Sequence, residues 1–128
     1  MKFTLIFAAL CLCVAFASAE TNNHNMCNNN SVGITAQIVA SWQENGQQFS
    51  NINVEIHNYS QRRINNVVIS AGYLELKDYN SIWNIQRNGN ELALPRDRII
   101  EVGGVHTFGA TIRGNHIPAM WVRSVSCL

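Results

Sequence analysis

From Val32 onward, apolar and polar positions alternate with a period of two. In "VGITAQIVASW", residues 32–42, the side chains of Val32, Ile34, Ala36, Ile38, Ala40 and Trp42 alternate with mostly polar ones. In "NINVEIHNY", Ile52, Val54 and Ile56 alternate with Asn53, Glu55 and His57. Both segments read as half-buried strands, and Asn45-Gly46 between them is a favoured hairpin pair, so the two are predicted to run antiparallel. Further strands are predicted over 66–72, 73–76, 81–86, 91–94, 105–112 and 120–126. No long stretch has helical periodicity. A second Asn-Gly pair lies in "RNGN", Pro95 ends a strand by removing a ladder donor, and Gly103-Gly104 and Arg113-Gly114-Asn115 mark later turns. Seven or eight short strands in about 100 residues predict one all-β domain, an antiparallel β-sandwich over residues 32–128.

The segment before this pattern is different in kind. Residues 1–19, "MKFTLIFAALCLCVAFASA", combine Lys2, an apolar run and a small-residue Ala-Ser-Ala end, and read as a secretory signal peptide. The run is short for a membrane span, so a secreted, extracellular protein is expected. Residues 20–31, including "TNNHNMCNNN", read as an Asn-rich flexible leader with no binding role. Removing the signal leaves two cysteines, Cys27 and Cys127. In an oxidising compartment a single disulfide between them is the economical reading, with two free thiols as the alternative.

Charge and chemistry narrow the function. Of nine Lys plus Arg, eight remain without Lys2, against eight Asp plus Glu. That balance argues against nucleic acid or an anionic membrane as partner. The surface is rich in amide instead, with seventeen Asn in residues 20–128, and neutral groups that both donate and accept suit sugar hydroxyls. The four histidines show no metal-ligand spacing, and no metal site or cofactor motif is indicated. There is no G-x-S-x-G motif. Glu55 and His57 point the same way from one strand and form the only catalytic pair worth weighing, but a small sandwich has little room for a deep cleft, and a non-enzyme is expected. Asn29-Asn30-Ser31 and Asn58-Tyr59-Ser60 are glycosylation sequons, which makes Asn29 and Asn58 candidate acceptors.

The tryptophans remain. Indole stacks on the flat C–H face of a sugar ring, so exposed aromatics on a rigid sheet make a polysaccharide platform. Core packing is the competing use, and the alternation places Trp42 on the apolar side of its strand. The order of "SW" at 41–42, "ENGQQF", "NVEIHNYS", "SIWNI", "LALP" and "GGVHTFGATI" resembles carbohydrate-binding module family 49 over roughly residues 34–127. The resemblance implies a β-sandwich of the kind attached to plant endoglucanases and found in secreted proteins of cellulose-building amoebae, where it binds crystalline cellulose without catalysis. It implies Trp42 and Trp83 as stacking residues. Where the family often has an aromatic after Leu-Pro, this chain has Arg96 and Asp97. A third ring is then sought at Trp121, Tyr79 or Tyr59. The expected partner is an insoluble polysaccharide, cellulose or a related β-glucan, in a matrix, wall or coat. A protein partner, as for an adhesion or inhibitor domain, is the alternative, with Arg62-Arg63 beside Tyr59 as its anchor.

Overall fold

The computed structural model describes residues 26–128. The expected signal peptide at 1–19 and the start of the leader lie outside the described residues. Nine strands follow in chain order: β1 Met26–Cys27, β2 Val32–Glu44, β3 Gln47–Asn58, β4 Ile64–Ala71, β5 Ile82–Trp83, β6 Gln86–Asn88, β7 Glu91–Ala93, β8 Val105–Arg113 and β9 Met120–Cys127. They form two antiparallel sheets, one of five strands in the order β1-β9-β4-β7-β6 and one of four in the order β2-β3-β8-β5. This is the all-β sandwich that the alternation predicts. Among the described residues no helix is long and apolar enough to cross a membrane.

The long β2–β3 hairpin turns at Asn45 and Gly46, both with positive φ (51° and 80°), the geometry that favours an Asn-Gly pair. The core lies between the sheets, where Ile52, Val54, Ile56, Phe108, Ala110 and Ile112 from the four-stranded sheet meet Ile64, Val67, Ile69, Ala71, Leu92 and Val125 from the other. Each of these strands buries alternate residues, as a sheet with one wet face must.

Three expectations are revised. Residues 26–31 are not a free leader: Met26↔Ser126 and Cys27↔Val125 pair β1 with β9, and Asn29–Ser31 forms a 3₁₀ turn. The cause is the Cys27–Cys127 disulfide, whose Cα atoms lie 5.8 Å apart across a sequence separation of 100. A loop of that length is stabilised by about 4 to 5 kcal/mol when closed in the chain-entropy model. Residues 73–76 supply a single bridge, Leu76↔Ile112, rather than a strand. Residues 81–86 split: β5 pairs with β8, and then Asn84, at φ 64°, turns the chain so that β6 joins the five-stranded sheet.

Candidate functional site

The outer face of the four-stranded sheet is built from the polar positions of β2, β3 and β8. The register Asn51↔Thr111, Asn53↔Gly109 and Glu55↔Thr107 on one side of β3, with Thr35↔Glu55 and Gln37↔Asn53 on the other, sets these residues on one plane. From Phe49 to His57 the plane extends about 27 Å, and its four strands span about 14 Å. Its polar floor is partly cross-linked, with Thr111 Oγ1 donating to Asn51 Oδ1 at 2.7 Å.

Trp42 reaches this face through a β-bulge. In β2, Ile34, Ala36 and Ile38 face the core strands, but the register shifts between Ile38 and Ala40, so that Ala40 pairs with Asn51 and Trp42 with Phe49. One extra residue inverts the side on which every later side chain emerges. Trp42 therefore lies outside the core, which corrects the inward placement drawn from alternation. Its ring meets that of Phe49 with centroids 6.2 Å apart. Its indole Nε1 donates to Glu44 Oε2 at 2.9 Å, and Lys77 Nζ donates to the same oxygen at 2.9 Å. The Lys77 hydrogen bond first, and then that of Trp42, hold the Glu44 carboxyl below its ordinary pKa. Lys77 Nζ and the Arg113 guanidinium also lie over the Phe49 ring, at 5.0 and 5.7 Å, so Phe49 is buried although it belongs to the outer face.

Trp83 is held differently. It pairs with Gly109 across the β5–β8 edge, and its indole lies flat on that glycine: a Cβ at residue 109 would stand 2.5 Å from Trp83 Nε1 and 2.6 Å from Cε2 and Cζ2. Only glycine allows this approach. The next residue anchors the strand end, with Asn84 Nδ2 donating to Thr107 O at 2.6 Å and the Asn84 carbonyl bonded to Nε2 of buried His106 at 2.7 Å. The ring is 49% exposed.

At the far end, Tyr59 repeats the device. Its ring covers Gly33, where an added Cβ would lie 2.5 Å from Tyr59 Cε2, and it stacks on His57 at 5.7 Å with planes 10° apart. His57 Nε2 lies 3.2 Å from Glu55 Oε1, and the Thr35 hydroxyl donates to that oxygen at 3.4 Å. Beside them is a depression of only about 110 Å³, lined by Thr35, Ala36, Gln37, Asn53 and Glu55. The arrangement offers a flat surface with rings at its margins and hydrogen-bonding groups between them.

The other candidates lie elsewhere. Trp121 is 51% exposed on β9, opposite Ser70, and belongs to the outer side of the five-stranded sheet. It does not share a face with Trp42 and Trp83. Tyr79 is 91% exposed in the connection before β5. Asn58 is buried, with Nδ2 donating to the carbonyls of Arg62, Ile100 and Glu101 and Oδ1 accepting from the Ser60 amide and hydroxyl. The folded protein does not present it as a glycan acceptor; this Asn-x-Ser ties the end of β3 to the 100–101 segment. Asn29 is exposed, and its Nδ2 donates to Arg123 O at 3.1 Å. Arg63 is paired with Glu101 through two contacts of 3.0 and 3.2 Å, and Arg62 Nε donates to Leu128 O. Glu44, Lys77, Asn84 and Gly109 were not foreseen as site residues; a glycine inside the alternating 105–112 run was the one available sign of a close approach.

No curated protein matches the chain. Among solved structures, the GH20 exo-β-N-acetylglucosaminidase of Vibrio harveyi in complex with N-acetylglucosamine is similar at TM-score 0.53 and 11% identity, over 66% of this chain and 13% of that one. An inactive mutant of the same enzyme is similar at TM-score 0.53 and 12% identity, with the same coverage. At this identity the likeness is one of fold, and the chain spans about an eighth of the enzyme's length. The family model described as carbohydrate binding domain CBM49 matches residues 32–111, from the start of β2 into β8 and thus both Trp42 and Trp83. The chain belongs to the CBM49 family of carbohydrate-binding domains.

Proposed function

We propose that this protein is secreted and adsorbs to an insoluble β-1,4-linked glucan, cellulose or a close relative, through the outer face of the four-stranded sheet. Trp83 and Trp42 stack on sugar rings, and Tyr59 is the third ring, in place of Trp121. Asn51, Asn53, Gln37 and Thr107 hydrogen-bond the hydroxyls between them. The observation that carries this reading is the bulge after Ile38, which brings Trp42 onto the same flat face as Trp83. A flat face suits the surface of an ordered polysaccharide better than a single enclosed chain, because rings can then be stacked from one side only. The role is non-catalytic, in a matrix, wall or coat, with Asn29 as the one remaining candidate glycan acceptor. The arginines beside Tyr59 that would anchor a protein partner already have intramolecular partners, which favours the glycan.

The test is a pull-down of residues 20–128 on microcrystalline cellulose, with chitin as control, comparing wild type with Trp83→Ala and Trp42→Ala after circular dichroism shows each to be folded. Retention of wild type and its loss in folded Trp83→Ala is expected. A folded wild type that stays in the supernatant would exclude the glucan reading.

A further inference from the structure

Trp121, now separated from the sheet face, lies beside a second feature. A cavity of about 430 Å³ opens at the end of the sandwich, between the segment that follows β4 and the β8–β9 connection. Its lining includes the aromatic Trp121 and Tyr73, the apolar Ile117 and Pro118, and the polar Glu75 and His116. The volume falls in the range of about 300 to 1,000 Å³ typical of small-ligand sites. A Cβ placed on Gly72 would lie 3.8 Å from Trp121 Cη2, so the glycine borders the indole. Tyr73 is 91% exposed and Trp121 51% exposed. Two large exposed aromatics thus border one concavity, the kind of apolar surface that can serve recognition.

We infer that this cavity is a second carbohydrate subsite, which takes a pyranose at a chain end or a free edge of the same β-glucan. The proposal rests on the carbohydrate-binding reading above. Trp121 supplies the stacking face and Tyr73 closes the opposite side. Among the described residues neither the Glu75 carboxylate nor the His116 imidazole has a side-chain partner. A carboxylate accepts from two neighbouring hydroxyls, and an imidazole adds a donor or acceptor, so these two lining groups suit the hydroxyls of a sugar ring. The concave shape excludes a flat lattice and admits one ring. Arg113 borders the cavity while its guanidinium covers Phe49 beneath Trp42. The second subsite is thus around the corner from the Trp42 end of the first, and one molecule engages two strands.

The chain has three tryptophans, one in each position of interest, so 5-fluorotryptophan labelling with ¹⁹F NMR reads them separately. The protein is titrated with a soluble cello-oligosaccharide into the millimolar range. The expected result is a saturable shift of the Trp121 resonance that persists in a Trp42→Ala/Trp83→Ala variant and weakens at least fivefold in Tyr73→Ala. The Tyr73 side chain is almost fully exposed, so that variant keeps the fold. A Trp121 resonance that stays still, or a full response in Tyr73→Ala, overturns the second subsite. Movement of Trp121 with Trp42 and Trp83 unmoved leaves the cavity standing, while the sheet-face reading fails only if folded wild type is not retained on cellulose, so the two failures are distinct.

Discussion

Trp83 and Trp42 share a face of one sheet, yet they are held there by different physics. Trp83 lies on the Cα of Gly109, and side-chain-to-backbone hydrogen bonds of Asn84 and His106 fix the strand end that carries it. Trp42 stands at the end of the long hairpin and is oriented by side chains, through Glu44, Lys77 and Phe49. A ring seated by steric fit on a glycine depends on no ion pair and is little affected by salt. A ring oriented by an exposed ion pair is sensitive to pH and salt. One face thus carries a ring held by shape and a ring held by charge.

The largest effect should come from Trp83→Ala. Loss of a half-exposed stacking ring costs on the order of 2 kcal/mol, roughly 30-fold in affinity, with little change in Tm; a depletion isotherm on cellulose measures it. Gly109→Ala should follow at about tenfold, because the added methyl cannot coexist with the seated indole and Trp83 must lift from β8. Trp83 fluorescence should shift with it. Equal binding by Gly109→Ala and wild type would break the idea that the glycine seats the ring.

Trp42→Ala should weaken adsorption by less, about fivefold, or roughly 1 kcal/mol. Unlike Trp83→Ala it should also lower the melting temperature, since it uncovers Phe49. The smallest effect separates the two rings most cleanly. The Glu44 carboxyl titrates lower in the folded protein than in the unfolded chain. Its contribution is therefore complete above the ordinary glutamate value of about 4.3 and is lost as pH falls through the lowered folded value. Adsorption should decline by about twofold on acidification below that range in wild type and in Trp83→Ala. In Trp42→Ala and Glu44→Gln it should not change. A decline of the same size in Glu44→Gln would assign the pH response to another group.

Much of the fold was legible because strands that bury one face carry alternation, and hairpins of this twist need residues that tolerate positive φ. Val105–Arg113 and the Asn45-Gly46 turn lie where those rules place them. The pairing of Cys27 with Cys127 was legible by count, but that their bond would draw Met26–Cys27 into the sheet was not. Of the site, the two tryptophans were named from the family pattern, while the residues that hold them were not. Glu44 and Lys77 are 33 residues apart in sequence, and no local signal joins them. The sequon at Asn58 misled because Asn-x-Ser reads the same whether the amide faces solvent or closes a buried network.

The sequence by itself determined where strands form, where the chain turns and which fold class results, since each depends on neighbours a few residues away. Only the tertiary structure decided on which side of a strand a given ring emerges. Facing is a parity, counted from the hydrogen bonds that a strand makes with a distant partner, and a single bulged residue after Ile38 reverses it. It likewise decided that the chain leaves one sheet at Asn84 for the other, so that Trp83 ends a strand on an open edge instead of lying inside a longer one.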